Sequence, residues 1–559
     1  MGSLVRFRFH GKLTKGWVLG PTEDVPARTL PVMRLVSPQR FFDEETLALA
    51  RWVSERYVAP LATVLERLSP PRVAEEEANA GSVRVAAGPW QVLPEPSILP
   101  TYTGGPDLLE LCRRGSGAVA LRPAPEDERT VAVEAVSACL AYGRRALVLV
   151  PEASPVPATA TAILEAFGDR SALFLGGDRR TRFRTWRLIQ AGGVDVVVGT
   201  RPAVFAPIGR LGLIYVSRES HPAHREDRSP YYHVRDVALT RARRQDAVLI
   251  LAALCHSSEA AALGLREVAP IERRWPKVEV VRPGPEGRAP RLLKALHDVR
   301  RAFVLSPRRG YGTAQVCRSC GAPAACGPCG GLLRQELGLL RCVVCSAPGR
   351  CPACASTSFG IRRGGAERVA EWAAGVASVP VREVSHPRLP RSAEILVGGP
   401  EDVRDLGPGG LDLVAVLDAD LAARRPGLAS PERALSKWME AIGWARPSGR
   451  AIVQASEASD PMVQALVRGN PDRFHVRERR RRAEAGFPVG SPVFRVLGDS
   501  RLEEALTGTP ALTSLASSLA GRTVCLLALE AQQVPAFGVL MRDLAARGIV
   551  ERVEAEPHL

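Results

Sequence analysis

Short apolar runs dominate the middle of the chain and set its fold class. From about residue 107, the strings "ALVLV", "SALFL", "DVVVGT", "LGLIYV" and "AVLILAA" read as buried strands, with "TVAVEAVSACLAY" and "YYHVRDVALTRARR" as helices between them. Strands that are apolar throughout and alternate with helices predict a parallel sheet covered on both faces. A second series starts near residue 300 with "RAFVLS" and continues through "PVREV", "EILVGG", "LDLVAVLDAD" and "RAIVQA". The two series predict two α/β lobes, at 107–290 and 291–490. Ahead of them, "VRFRFHGKLTKGWVLG" alternates Val5, Phe7 and Phe9 across a glycine-containing turn, which predicts a β-hairpin. A helix follows in "DEETLALARWVSERY" with Asp43 as its N-cap, closing an N-terminal unit over 1–70. Residues 71–106 are rich in Pro, Gly, Ala and Glu and read as a linker or a reduced domain. The weak alternation of 491–559 predicts a small α+β C-terminal domain.

Composition adds a direction. Of 559 residues, 46% are hydrophobic, enough to give several domains a core each. Lys+Arg is 75 against Asp+Glu 59, a formal charge of +16 that favours nucleic acid first and an anionic membrane surface second. An arginine-rich composition gives the same charge without any partner, so charge alone does not decide. No stretch reaches the ~18–20 apolar residues of a membrane span. Met1–His10 lacks the apolar segment of a secretory signal. A cytoplasmic, nucleoid-associated protein is expected, with reduced thiols and no membrane partner.

Clustered cysteines in that setting are metal ligands. Eight of the twelve cysteines form four C-x2-C knuckles, Cys317/Cys320, Cys326/Cys329, Cys342/Cys345 and Cys351/Cys354, separated by five, twelve and five residues. Two knuckles supply one tetrahedral four-thiolate site, so four supply two. Three pairings are possible. The twelve-residue gap "GGLLRQELGLLR" suits a hairpin that brings the second and third knuckles together and leaves the first and fourth side by side. The expected sites are Cys317, Cys320, Cys351, Cys354 and, nested inside, Cys326, Cys329, Cys342, Cys345, holding two Zn²⁺ per chain. A four-thiolate set can also take an iron–sulfur cluster. Cys112, Cys139, Cys255 and Cys525 sit in apolar runs and read as core.

Several strings resemble the PriA family of replication-restart helicases: "LVLVPEASPVPAT", "VVVGTRPAVFAPIGRLGLI", "YYHVRDVALTRAR", "PRRGYG" leading into the cysteines, and "VAVLDADL". Their order and spacing match over about residues 5–500. The resemblance implies an N-terminal domain that binds the 3′ end of a nascent strand, a winged helix, two RecA-like lobes carrying the zinc segment (here 313–358) as an insertion, and a C-terminal domain. It implies forked or single-stranded/double-stranded junction DNA as ligand, with other primosome and replication proteins as partners. The family's first few dozen residues have no counterpart, so the chain is expected to start inside the 3′-end-binding domain or from a misassigned start codon. The 71–106 segment leaves little room for a full winged helix.

The motor motifs implied by the resemblance are degenerate. ATP hydrolysis needs a Gly-rich loop around the phosphates, a Lys to the β/γ-phosphates and a Thr or Ser to Mg²⁺. The G-x4-G-K-T positions are taken by Pro123, Glu128, Arg129 and Thr130, and "PEDE" puts carboxylates where a triphosphate would lie. The D-E-E-H box reads Ser217, Arg218, Glu219, Ser220, and the G-S-A-T string reads Ala252–Cys255. "GGPEDV" stands for the second lobe's G-T-Q motif. The final Q-x-x-G-R-x-G-R motif reads "EAIGWARPSGR", with Trp444 and Pro447 for the two arginines. No catalytic residue and no ATP cofactor are expected. Candidate DNA contacts are Arg6, Arg8, Lys12, Lys15 and Trp17 in the hairpin, Tyr231 and Arg235 where the family has an aromatic-rich loop, and the basic run Arg473–Arg482. The expected function is fork recognition that supports reloading of the replicative helicase, without unwinding. An active 3′–5′ helicase and a zinc-ribbon protein-interaction scaffold are the rivals.

Overall fold

The computed structural model describes the chain except residues 26, 79–94, 273, 285–287, 308–313, 321–325, 328–332, 337–338, 343–345, 364–365, 385–387, 391, 408, 420–426, 520–521 and 558–559. At the N-terminus, β1 (Leu4–Phe9) pairs antiparallel with β2 (Lys12–Trp17) and β3 (Arg34–Ser37), in the order β2-β1-β3. The β1–β2 turn has His10 and Gly11 both at positive φ, 45° and 76°, the twist a two-residue hairpin demands. Helix α1 (Glu44–Arg56) starts where predicted, with the Asp43 carboxylate accepting from the Thr46 amide at 2.8 Å, and buries Leu47, Ala50 and Val53 along one face. Helices α2 (Leu61–Leu68) and α3 (Ala74–Ala78) follow. Residues 79–94 of the expected linker lie outside the described residues.

The first lobe is an eight-stranded sheet of β4 (Tyr102–Thr103), β5 (Gly117–Leu121), β6 (Arg145–Leu149), β7 (Ser171–Phe174), β8 (Val196–Gly199), β9 (Leu211–Ser217), β10 (Val248–Ala252) and β11 (Arg266–Pro270). Its order is β4-β11-β5-β10-β9-β6-β8-β7, parallel except for the β4–β11 pair. All seven residues of β9 are buried, as its unbroken apolar sequence requires at the centre of a doubly covered sheet. Helices α4 (Glu128–Leu140) and α5 (Ala158–Phe167) cover one face, through Val131, Ala135 and Ile163 on Val148 and Tyr215. Helices α6 (Arg179–Gln190) and α7 (Val234–Arg244) cover the other.

The second lobe is an all-parallel six-stranded sheet, β12-β21-β20-β13-β19-β18. Its strands are β12 (Lys277–Val281), β13 (Arg301–Leu305), β18 (Val381–Glu383), β19 (Glu394–Gly398), β20 (Leu411–Val416) and β21 (Ala445–Gln454). It therefore begins at Lys277, ahead of the expected boundary at 291, because β12 pairs with β21. As an edge strand β12 is only half-buried, and its "KVEVV" lacks the apolar run that marked the inner strands. Helices α8 (Ser430–Ile442) and α9 (Asp472–Glu484) complete the lobe. Between β13 and β18, the cysteine insertion is closed by β14 (Ala314–Cys317) against β17 (Phe359–Arg363), with the hairpin β15 (Leu333–Glu336) and β16 (Leu339–Cys342) inside it.

The C-terminal unit is an antiparallel sheet, β23-β24-β22-β25, of β22 (Val493–Gly498), β23 (Thr513–Leu519), β24 (Arg522–Ala528) and β25 (Val550–Ala555), with α10 (Val534–Ala546) packed on it. Its Phe494, Leu527 and Phe537 share one apolar core with Phe41, Val53 and Tyr57 of the N-terminal unit and with Trp186 and Ile214 of the first lobe. Tyr57 donates to Asp236 at 3.1 Å and Arg56 pairs with Glu556 at 2.9 Å, so polar contacts tie the same three units.

Candidate functional site

The carboxyl ends of β5, β9 and β10 open onto the second lobe, which is where a parallel α/β sheet presents its ligand site. Arg218 occupies that position. It follows β9 directly, with its backbone in the left-handed region at φ 50°. Such a conformation costs on the order of 1 kcal/mol or more for a residue with a side chain and persists only when the surroundings hold it. Its Nε and Nη2 donate to the two Glu128 oxygens at 3.2 Å each, and Nη1 donates to Glu440 Oε2 at 3.4 Å. Asp405 Oδ1 stands 3.8 Å from Nη2. Glu128 begins α4 in the first lobe, whereas Asp405 and Glu440 belong to the second, and all four side chains are buried. Lys437 adds a second cation, 3.1 Å from Glu440. Burial works against the Arg218 charge, but the three carboxylates more than offset it and hold the group firmly protonated. Burial pushes the Glu128 carboxyl up, against the pull of Arg218.

Most of the remaining motif positions are absorbed into packing. Pro123 is buried, Thr130 faces solvent, and Arg129 lies against Gly407 of the second lobe. Ser217 is buried. Glu219 is the one box position that keeps a carboxylate. It binds Arg235 at 3.1 Å and the amide and hydroxyl of Ser257 at 2.9 and 2.7 Å. Burial would raise its pKa, but Arg235 and these donors hold it at about 2, so it is a fixed anion and not a base for water. Leu254 and Cys255 sit in the second lobe's core with Trp438 and Ile442. Trp444, in place of an arginine, is buried edge-on against Phe303 at 4.9 Å. Further straps cross the cleft: the Thr159 amide to Asp405 at 3.0 Å, Ser220 to Ser436 at 2.8 Å, and Arg482 to Glu259 at 2.7 Å. The sequence marked Arg218 and Glu128 as misfits but did not reveal their partners Asp405 and Glu440. One signal was present: Glu440 opens the final motif, so a cation in the acidic box coincides with acids at a glycine and a glutamine position.

The outer knuckles converge. Ligand atoms of Cys317, Cys320, Cys351 and Cys354 all lie within 4.8 Å of one another, with Sγ–Sγ distances of 3.4 Å for Cys317–Cys354 and 3.5 Å for Cys320–Cys351. A tetrahedron with metal–sulfur bonds of about 2.3 Å puts sulfurs about 3.8 Å apart, so the four thiols fit a single metal ion. Of the inner set, Cys329 and Cys345 lie outside the described residues. Cys326 and Cys342 share a small core with Leu333, which sits opposite Cys342 in the β15–β16 register. The third and fourth knuckles turn alike: the Ser346 amide donates to Cys342 O at 3.0 Å and the Ala355 amide to Cys351 O at 2.8 Å, with Ser346 and Ala355 both at positive φ.

The expected DNA contacts divide. Arg8, Lys12 and Lys15 are exposed and Arg6 half-buried, and the register Arg6↔Lys15, Arg8↔Leu13 sets Arg6, Arg8 and Lys15 on one face. Phe9 and Leu13 beside them are about half exposed, at 51% and 52%. Trp17 is not a stacking platform, since its ring packs on Phe41 and Phe42 at 5.1 and 5.7 Å. Tyr231 and Arg235 are likewise interior. The Tyr231 hydroxyl accepts from Arg552 at 2.8 Å, and Arg235 is spent on Glu219 and Asp236, because the chain enters α7 under the C-terminal sheet. On α9, Arg473, Arg477, Arg479 and Arg480 are exposed, whereas Arg482 points into the cleft.

Fold and site together define a helicase-type pair of α/β lobes that carries a cysteine-knuckle insertion and a buried charged cluster in the cleft between them. Residues 1–70 match the family model of the PriA 3'DNA-binding domain (3'BD). Over 544 residues the chain is 29% identical to the probable replication restart protein PriA of Mycobacterium leprae, spanning 89% of this chain and 83% of that one. The replication restart protein PriA of Treponema pallidum is 26% identical over 544 residues, 87% of this chain and 81% of its own. The solved structure of the DEAD-box helicase Mss116 bound to ssRNA and UDP-BeF overlaps 64% of this chain and 70% of its own, at 9% identity and a TM-score of 0.37. Together these matches support a PriA-type protein. Among the described residues, no helix is long and apolar enough to cross a membrane.

Proposed function

We propose that this chain serves replication restart as a DNA-binding scaffold that recognises forked DNA without unwinding it, and that supports reloading of the replicative helicase through partner proteins. One observation carries the non-motor half of this reading: the Arg218 guanidinium and its three carboxylates from both lobes fill the position where phosphates and Mg²⁺ would lie. Triphosphate entry would place anions against Glu128, Asp405 and Glu440 in a dry site, and the one carboxylate left in the acidic box, Glu219, is already held by Arg235 and Ser257. The DNA half is supported by the 3'BD match over 1–70 and the basic hairpin face. Residues 1–70 then form a 3′-end-binding unit, 71–106 a linker or reduced winged helix, 107–290 and 291–490 the lobes with β12 assigned to the second, 313–358 the zinc insertion and 491–559 the C-terminal unit. The cysteine sets hold two Zn²⁺, structural because each site is closed by four thiolates.

The test uses one purified sample of the full chain. Forked DNA with a free 3′ end is expected to bind more tightly than a duplex of equal length, with no change on adding ATP and Mg²⁺. Equal affinity for fork and duplex would reduce the binding to polyanion attraction and reject fork recognition. Turnover of ATP that rises with DNA would instead establish the active-helicase reading.

A further inference from the structure

The basic helix α6 carries its arginines in a stripe. Arg180, Arg184 and Arg187 are spaced i, i+4 and i+7 on one side, while Phe183, Trp186 and Ile189 are buried on the other. Phe41 packs on Phe183 and Trp186 at 6.4 and 5.6 Å, which fixes the stripe beside the unit that matches the 3'BD. Over the stripe lies α3, whose sequence is AEEEA and none of whose residues is buried. Glu76 accepts from Arg184 Nε and Nη2 at 3.0 and 2.8 Å and stands 3.4 Å from Arg180. Glu75 pairs with Arg180, and the Glu76 carbonyl accepts from Arg187. The Arg184 contact, with Arg180 and Arg187 adding, holds the Glu76 carboxyl below its ordinary range.

Val73 anchors the chain on the shared core just before α3, and Glu77 is tied back to Ser37 and Arg72. Glu75 and Glu76 themselves are held over the stripe by ion pairs, and exposed ion pairs contribute at most about 1 kcal/mol each. Such a cover yields to a competing polyanion. The fork with which Arg184 grips a carboxylate also fits a phosphate. The stripe is about 10 Å long at 1.5 Å per residue, the length of about three phosphates of one DNA strand. We propose that Arg180, Arg184 and Arg187 form a DNA-backbone site that Glu75 and Glu76 cover in the free protein and vacate when DNA binds. The proposal rests on the DNA-binding reading above but not on where the fork is recognised.

Salt titrations of forked DNA against the full chain test it. Glu75→Gln/Glu76→Gln should bind roughly 3- to 10-fold more tightly at low salt, because no cis carboxylates need displacing. Adding Arg180→Gln/Arg184→Gln to that variant should remove the gain and flatten the salt slope by about 0.9 per lost phosphate contact. If the wild type binds and the glutamine variants titrate identically to it, the stripe is not a DNA site and only this proposal falls. A lower melting temperature with unchanged affinity in Glu75→Gln/Glu76→Gln would make the contact purely structural and equally overturn it. Failure of wild type and variants alike to bind DNA rejects both this and the DNA-binding reading. Binding by Glu75→Gln/Glu76→Gln alone would support the covered site directly.

Discussion

Arg218 concentrates the charge of the cleft into one side chain: a left-handed backbone, burial and three carboxylates around one guanidinium. Removing one partner from a buried ionic cluster leaves uncompensated charge and costs about 3–5 kcal/mol. Arg218→Met should therefore lower unfolding stability by about that amount in chemical denaturation. Arg218→Lys should recover only part of it, since an ammonium cannot fork between Glu128 and Glu440. A loss within experimental error for Arg218→Met would mean the cluster contributes nothing to stability. Buried histidines give a second prediction at this scale. Burial, ahead of all other causes, lowers both His224 and His475 to about 4. Between pH 6.5 and 4 the unfolded chain takes up protons that these folded imidazoles refuse, so stability is complete above about pH 6.5 and falls as pH drops toward 4. Each contributes a slope approaching about 1.4 kcal/mol per pH unit in that window. Melting temperatures measured from pH 7.5 to 5 should fall, and His475→Gln should make the decline shallower.

At the scale of elements, legibility followed burial on both faces. Apolar strands such as β6, β9, β10 and β20 announce themselves because nothing polar survives in the middle of a covered sheet. Edge strand β12 and helix α6, with five arginines, are legible only from their tertiary neighbours: β21 for the one, Phe41 and Glu76 for the other. The motor motifs were readable as losses, because each departs from a known chemical requirement. Their replacement was not readable, since Asp405 and Glu440 reach Arg218 only through the docking of two lobes. Tyr231 and Arg235 misled for the same reason, an aromatic–basic string being equally suited to a DNA loop or to a buried helix start. The knuckles were the most legible element, because four thiolate pairs on tight turns at this spacing have few uses other than holding metal. The predicted hairpin is present as β15–β16, and the first and fourth knuckles meet. Metal analysis of reduced protein should give about two Zn²⁺ per chain, and Cys317→Ser about one, with the inner set still filled. Strong chelation should unfold the insertion while the lobes retain their melting transition, since metal-binding energy is folding energy only where the ligands are. One zinc or none in the wild type would reject the nested pairing.

Across the whole molecule, the cleft between lobes is where a motor converts nucleotide state into movement. In such motors the phosphates and metal bridge the lobes, so their loss opens the cleft. Here Arg218–Glu440, Thr159–Asp405, Ser220–Ser436 and Arg482–Glu259 bridge it with the protein's own groups, and Leu254 is sunk into the second lobe's core. A ligand shifts an equilibrium only by its differential affinity for the two states, so if the cluster excludes nucleotide as proposed, ATP cannot distinguish open from closed. Spin labels placed on exposed positions of α6 and α10 would not report this movement, because both helices belong to the body built on the first lobe. Labels on α6 and on α9 span the cleft. Their distance distribution is expected to be single and unchanged by ATP with Mg²⁺. Arg218→Met, combined with Glu259→Gln to weaken the Arg482 strap, should broaden it toward longer separations. A wild-type distribution that narrows or shifts on adding ATP would mean that nucleotide still enters the cleft. The charged cluster would then be a gate over a working site, and the scaffold reading would fail with it.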